Sequence, residues 1–417
     1  MKKQLLATTA LVAGGLMAGA AQAADPIKLS LGGYSHTGLT IRGQDNTATS
    51  NGTINGQEDW FVQNNGLQVT TDIGRSDVFW EAEVFFVGET TLDNGIKVGV
   101  NIQLEAYTSN DQVDESYVYL TGGFGRLVVG AENSAMYIMH YAAPSPTGGQ
   151  FGAESPNFNP FRLPTAHRSG TIGTFSALTS DANKITYYTP RFSPGFQFGI
   201  SYTPDDDAFS GFQSAGVGGG TGCRGGCAFD AGNGVSDNDQ ANGHHFVELG
   251  ANFVKSLNGV DLAFSGGYGT GFVEKQTRTA NDRLLKQRHS LTAGFNIGYA
   301  GWTFGAGARW DNNGQQGPNS VYAATAGVMY GAGPWLVGVN AGYGLNQDGR
   351  RQTATAAGGY ARRTNDTTLW LGAQGTYTLG PGVRVFSAID YASWNGNGTD
   401  SEEGDGLAWS TGLLLNF

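Results

Sequence analysis

The charged residues of this chain fall into step with one another. Glu81, Glu83 and Glu89 share one parity in VFWEAEVFFVGE, and Lys97 and Glu105 share one in IKVGVNIQLEA. Arg309 and Asp311 stand against Trp302, Phe304 and Trp310 in WTFGAGARWD; Arg384 and Asp390 stand against Val383, Val385 and Ile389 in VRVFSAIDY. Side chains two apart in an extended segment lie on the same face. One charged face and one large apolar face can sort ions by electrostatics, but bond-making chemistry finds little to use. The six histidines are scattered, neither G-x-S-x-G nor H-E-x-x-H occurs, and the adjacent His289 and Ser290 point to opposite faces. No enzyme and no cofactor is expected. Cys223 and Cys227, in GGGTGCRGGCAFD, are separated by three residues rather than the two of a redox motif. In an exported chain they read as a local disulfide; a metal site shared with His244 and His245 is the other reading.

The elements that carry these faces are strands. From Asp25 the chain divides into segments of about ten residues with alternating polarity. Seven connections are tight: Asp93-Asn94-Gly95, Gly122 to Gly125, Ser193-Pro194-Gly195, Leu257 to Gly259, Ala300-Gly301, Gly331 to Pro334 and Leu379 to Gly382. Eight are mostly longer and polar, near 43–77, 108–113, 133–182, 205–243, 273–287, 313–320, 347–366 and 395–405. Together they join sixteen strands, with short turns at one end and long loops at the other. That is the pattern of a transmembrane antiparallel β-barrel. A charge on a lipid face near the midplane costs about 2–4 kcal/mol, which accounts for the segregation. A soluble β-sandwich also alternates, but its charged face would be the outer one. Hydrophobic residues make up only 39% of the chain, as expected when every second strand residue meets water.

The N-terminus supports export. MKKQLLATTALVAGGLMAGAAQA has two lysines, an apolar run and an A-x-A pattern ending at Ala23, so residues 1–23 read as a cleaved signal peptide and 24–417 as the barrel. No later run of about 18 apolar residues suggests a membrane-spanning helix. The formal net charge is −11, and it becomes more acidic once Lys2 and Lys3 are removed, which argues against nucleic acid as a partner.

Several segments together resemble the general diffusion porins of Gram-negative bacteria, in particular the alphaproteobacterial branch. PIKLSLGGYSHTG is similar to the first strand of that family, and GETTLDNGIKVGVNIQLEAYT to its second-to-third strand hairpin. DESYVYLTGGFGRLVVGAEN is similar to the fourth and fifth strands, and NKITYYTPRFSPGFQFGISYTPDDD to the sixth and seventh. The resemblance implies a sixteen-stranded homotrimer in the outer membrane, with a water-filled pore for small hydrophilic solutes and ions and a third long loop folded into each lumen. It also implies that the last strand, in GDGLAWSTGLLLNF, pairs with the first, 27–42, and that the terminal Phe417 is read by the barrel-assembly machinery.

Selectivity would then lie where the 133–182 loop faces the wall. The loop offers Glu154, Arg162, His167 and Arg168; the alternative is that it lies over the barrel mouth. Wall candidates are Lys28, His36 and Arg42 on the first strand, Glu81, Glu83 and Glu89 on the second, Glu105 on the third, Glu132 after the fifth and Lys184 on the sixth. Ala131 and Glu132 stand where relatives often carry an arginine, so a strong basic cluster is not expected and a mild cation preference is. A substrate-specific channel is the rival reading, since Phe386 and Trp394 on the fifteenth strand have inward parity and could guide a sugar. An adhesin or purely structural barrel is a third. The acidic runs Asp205-Asp206-Asp207 and Asp400 to Asp405 could hold divalent ions that bridge lipopolysaccharide, or could simply be solvated.

Overall fold

The computed structural model describes residues 26–48, 75–106, 113–154, 160–161, 172–176, 178–205, 243–273, 287–314, 320–348, 364–396 and 402–417. The signal segment, Arg162, His167, Arg168, Cys223, Cys227 and nearly all of 205–243 lie outside the described residues.

Alternating sequence becomes strand throughout. The strands are β1 (Lys28–Ala48), β2 (Ser76–Thr91), β3 (Lys97–Glu105), β4 (Val113–Gly122), β5 (Gly125–Ala131), β6 (Asn183–Tyr188), β7 (Phe196–Asp205) and β8 (Gly243–Leu257). They continue as β9 (Val260–Val273), β10 (Arg288–Tyr299), β11 (Trp302–Asp311), β12 (Val321–Ala332), β13 (Trp335–Asp348), β14 (Thr364–Gly380), β15 (Val383–Asn395) and β16 (Glu402–Asn416). Each pairs antiparallel with its sequence neighbours, and β1 pairs with β16, so these sixteen described strands form one closed barrel. The closing ladder runs from Tyr34↔Asn416 to Ala48↔Glu402, and Gly33 and Phe417 exchange backbone hydrogen bonds of 2.9 and 3.0 Å beyond it. No sheet edge is left for another chain to pair with. No helix among the described residues is long and apolar enough to cross a membrane; the strands cross instead.

The tight connections fall where glycine, proline and asparagine mark them. Asn258 and Gly259 both have positive φ, +50° and +80°, the dihedrals of a two-residue hairpin turn whose twist matches the strands. The long connections are mostly shorter than the sequence suggests. β1 continues six residues past Arg42, through Gln-Asp-Asn-Thr-Ala, and β16 already begins at Glu402. These polar ends rise above the lipid band while remaining hydrogen-bonded, so low hydrophobicity there marks the membrane boundary and not the end of the strand.

Apolar side chains sit outside. Leu29, Leu31, Phe198, Phe304, Val339 and Ile389 are exposed on the outer face, where lipid replaces water. Two hydroxyls on that face have indole partners: the N–H groups of Trp80 and Trp409 donate to Ser35 and Ser387, both at 2.9 Å. An unpaired hydroxyl in hydrocarbon would cost several kcal/mol, roughly.

Candidate functional site: the pore and its inserted loop

The described parts of the connection between β5 and β6 lie in the lumen, along the inner wall. It begins with a single helical turn, α1 (Ala135–Ile138), whose N-cap Ser134 also donates to Glu248 Oε1 at 2.7 Å. Ala135 and Met139 pack on Tyr119, Val128 and Tyr188 of β4–β6. The backbone N–H groups of Ala135 and Tyr141 donate to Ser201 and Ser265, both at 2.8 Å, and Asn296 Nδ2 donates to Ala142 O at 2.8 Å. Farther along, Ser145 and Thr147 donate to Gln374 Oε1 at 2.8 and 2.9 Å, and Gln374 Nε2 donates to Phe151 O at 2.7 Å. Ala153 N donates to Asn340 Oδ1 at 3.0 Å, and Arg42 reaches across from β1 to Pro160 O at 2.9 Å. The return limb is held by Arg309 on Phe175 O, by Ser176 with Ser290, and by Thr179 on Glu248. The loop therefore meets the wall from β4 through β16 to β1, as expected of an inserted loop and not of one lying over the mouth.

The wall is shaped to receive it. A Cβ built on Gly294 would lie 1.6 Å from Tyr141 O, and one on Gly250 would lie 2.3 Å from Ala135 O. Only glycine lets the loop backbone approach this closely. Phe386 and Trp394 do face inward, but both are 2% exposed. Phe386 stacks on Phe151 with centroids 4.9 Å apart, and Trp394 belongs to a buried cluster with Phe161, Ile172 and Trp370. They seat the loop, and so offer no aromatic track to a passing sugar.

Between the loop's root at the end of β5 and its far contact on β1 stands an acidic wall, on β2 to β4. Glu81 and Glu83 are buried and accept hydrogen bonds from Tyr34, the first at 3.0 Å. Glu83 faces Glu105 directly across the β2–β3 ladder. A bulge in β4 places Asp114 and Glu115 together opposite Gln103, and Gln103 Nε2 donates to Glu115 at 2.8 Å. Carboxylate oxygens of Glu83, Glu105 and Asp114 all lie within 4.8 Å of one another, and the last two residues are half-buried. Asp114 and Glu115 escaped sequence reasoning because parity alone cannot reveal a bulge.

The remaining candidates sit elsewhere. Lys184 is 3% exposed and donates to the carbonyls of Glu132, Ser180 and Ala182, drawing the two ends of the loop together. Glu132 lies at the loop's root, buried. Glu154 lies within the loop fold, where its carboxylate accepts from Thr174 N at 2.7 Å, from Thr174 Oγ1 at 2.5 Å and from Thr325. His36 is buried and stacked on Tyr34 with centroids 4.6 Å apart; Glu89 pairs with Lys97 at 2.7 Å, and Lys28 is exposed opposite Glu89.

Two buried groups give loop docking a pH dependence. Burial, with Arg309 nearby, holds the His140 imidazole down to about 4, and its Nε2 hydrogen-bonds Thr174 Oγ1 at 3.1 Å. The docked loop thus binds fewer protons than a released one between pH 4 and the ordinary value of 6.5, and docking weakens as pH falls through that window. Burial pushes the Glu154 carboxyl up, so its contribution is lost instead as pH rises through its docked value. Open-channel noise is expected to grow between pH 7 and pH 5 in the native protein and not to grow in His140→Asn, where the remaining Glu154 contribution runs the other way. Identical pH profiles would remove His140 from the account.

Comparison with known proteins agrees with this architecture. The family model for Gram-negative porins matches residues 7–397, while no curated protein matches the sequence. Among solved structures, the anion-selective porin from Comamonas acidovorans is similar over 94% of this chain and 100% of its own, with 13% identity and a TM-score of 0.52. The outer membrane channel DcaP of Acinetobacter baumannii is similar over 94% and 98%, with 11% identity and a TM-score of 0.52. At such identities the likeness is one of fold, and the fold is that of channels rather than enzymes. Because the family match spans most of the chain and the barrel is closed around an inserted loop, this chain belongs to the Gram-negative porins, outer-membrane channels for the passive diffusion of small hydrophilic solutes.

Proposed function

We propose that this porin is a general diffusion pore with a mild preference for cations. The observation that supports the preference is the convergence of Glu83, Glu105 and Asp114 carboxylates within 4.8 Å, beside Glu115, on the wall facing the loop. Arg42, Lys184 and Arg309 meanwhile donate to backbone carbonyls, which ties much of the inward cationic charge to the loop. A one-sign cluster in a narrow aqueous gap with low-dielectric walls concentrates counter-ions and excludes co-ions. In this reading Glu105, with Asp114 and Glu115, lines the gap; Glu81 and Glu83 add field from behind. Arg42, Glu132, Glu154 and Lys184 set the gap's width by fixing the loop, which also carries Arg162 and Arg168. The sealing of Phe386 and Trp394 removes the feature that favoured a sugar-specific channel. The test is the reversal potential across a planar bilayer under a KCl gradient. A value displaced toward the potassium equilibrium potential is expected; displacement toward chloride would overturn the preference.

The assembly is proposed to be a homotrimer. β5 has 7 residues and β6 has 6, whereas a lipid-spanning strand needs about 9–11. Val129 and Ile185, which face outward on them, are apolar and exposed. A wall this low cannot by itself cross the hydrocarbon layer, and a second copy's surface would complete it. Light scattering of the detergent-purified protein is expected to give three times the chain mass; a monomer at all concentrations would contradict this. Removal of residues 1–23 on export predicts a mature N-terminus at Ala24, and reading of Phe417 by the assembly machinery predicts slowed insertion on its deletion.

A further inference from the structure

At the short-turn end of the barrel, charged residues of lumen parity recur at the same place in their strands. Lys28 and Lys97 are the first residues of β1 and β3; Arg126, Asp261 and Arg384 are the second residues of β5, β9 and β15. Glu89 faces Lys28 across the β1–β2 ladder and pairs with Lys97 at 2.7 Å. Arg126 lies two strands from Lys97 through Thr121, with its guanidinium 4.6 Å from the centroid of the Tyr119 ring. Arg384 faces the buried Leu414, and Asp261 is exposed. On the inner wall of this end, four cations thus meet two carboxylates among the described residues. Asp93 offsets Arg191 in the turns, and the terminal carboxylate offsets Lys255, so the formal net charge of −11 belongs to the other end.

The two signs are sorted along the axis of the pore. β3 alone shows it: Lys97 opens the strand and Glu105 closes it, 9 residues in all. At about 3.4 Å per residue and a strand tilt of about 35–45°, that length sets the two charges about 20 Å apart along the axis. This is about two screening lengths at 0.1 M salt, so neither zone cancels the other's action on a passing ion. The acidic zone is the wall of Glu83, Glu105, Asp114 and Glu115. The basic zone lies below it on the same side of the barrel, from β1 to β5, with Arg384 on β15 two strands round from β1.

We infer that the pore has two ion-selective sections in series, an outer one for cations and a periplasmic one for anions, and that Lys28, Lys97, Arg126 and Arg384 set the second. For the outer section the inference rests on the cation preference proposed above. Its consequence is that selectivity depends on direction. A charged section excludes co-ions best where the bath beside it is dilute and screening is weak. A dilute outer bath therefore reads the acidic section, and a dilute periplasmic bath reads the basic one. In equal salt, a positive outer bath drives cations in through the acidic section and anions in through the basic one. Both then accumulate between the sections, and current is larger with that polarity than with the reverse.

The test uses single native assemblies in a planar bilayer, with the reversal potential taken at about 0.1 M against about 0.5 M KCl and again with the two baths exchanged. The cation-to-anion permeability ratio is expected to differ about twofold between the two arrangements. Lys28→Gln/Arg126→Gln/Arg384→Gln is expected to raise the smaller ratio to meet the larger. Asp261→Asn, a single change at an exposed position, is expected to lower the smaller ratio further. The larger ratio should respond only to Glu105→Gln/Asp114→Asn, which frees the test from the orientation in which the barrel inserts. Equal ratios that favour potassium would overturn the inference and leave the proposed preference intact. A smaller ratio unmoved by Asp261→Asn, or lower-wall variants that shift both ratios alike, would overturn it too. Ratios that favour chloride in both arrangements would instead overturn the preference, and the outer section with it.

Discussion

Gly294→Leu is expected to narrow the pore and make its current noisy without unfolding the barrel. The strand needs only a small adjustment, because Gly294 does not have the left-handed backbone that only glycine favours and the Cβ would lie 3.0 Å from Ala306 O of the neighbouring strand. The loop cannot accept it, because a Cβ there would sit 1.6 Å from Tyr141 O. The loop must lift from β10, losing the Tyr141 N–Ser265 and Asn296–Ala142 O hydrogen bonds at about 1 kcal/mol each, and it moves toward the acidic wall. Lower mean conductance with rapid flicker, in a protein that keeps the native β-sheet circular dichroism, is the expected record. Gly266→Leu is the control: a Cβ at that position meets only Thr292 O at 3.9 Å. Native conductance in Gly294→Leu would mean that the loop does not rest on this wall.

Glu105→Gln combined with Asp114→Asn is expected to abolish most of the cation preference. Each carboxylate acts on a passing ion at about 4 Å, where the interaction in water is about 1 kcal/mol. Removing two is expected to lower the cation-to-anion permeability ratio by about threefold to tenfold at 0.1 M KCl. At 1 M, where the screening length shrinks to about 3 Å, native and variant proteins should converge. The reversal potential at both concentrations distinguishes this from a change in pore width, which would alter conductance at either salt. An unchanged ratio at 0.1 M would move the selectivity elsewhere in the lumen.

The barrel was legible because its information is local. Alternation along WTFGAGARWD needs no knowledge of a partner strand, and glycine and asparagine name their turns wherever they fall. What stayed hidden depends on contact between distant segments. Gly250 and Gly294 read only as two glycines among 67 until the loop is laid across them. Phe386 and Trp394 have the parity of pore-facing aromatics, yet a loop more than two hundred residues earlier in sequence covers both. Asp114 and Glu115 share the lumen because β4 gains a residue against β3, a mismatch visible only once both strands are paired. Lys184 could be placed on the inner face by parity, but not with the three carbonyls that occupy its ammonium group.

The loop also has a mechanical consequence. A hollow tube one strand thick flattens more readily than it stretches, since flattening bends the sheet without breaking its ladders. Here one segment is fastened to the inside of that tube from Ser201 on β7, through Asn296, Asn340 and Gln374, to Arg42 on β1. It acts as an inner hoop. Squeezing of the membrane that would turn the circular section into an oval must first break those fastenings, so the element that sets the gap also keeps the barrel round.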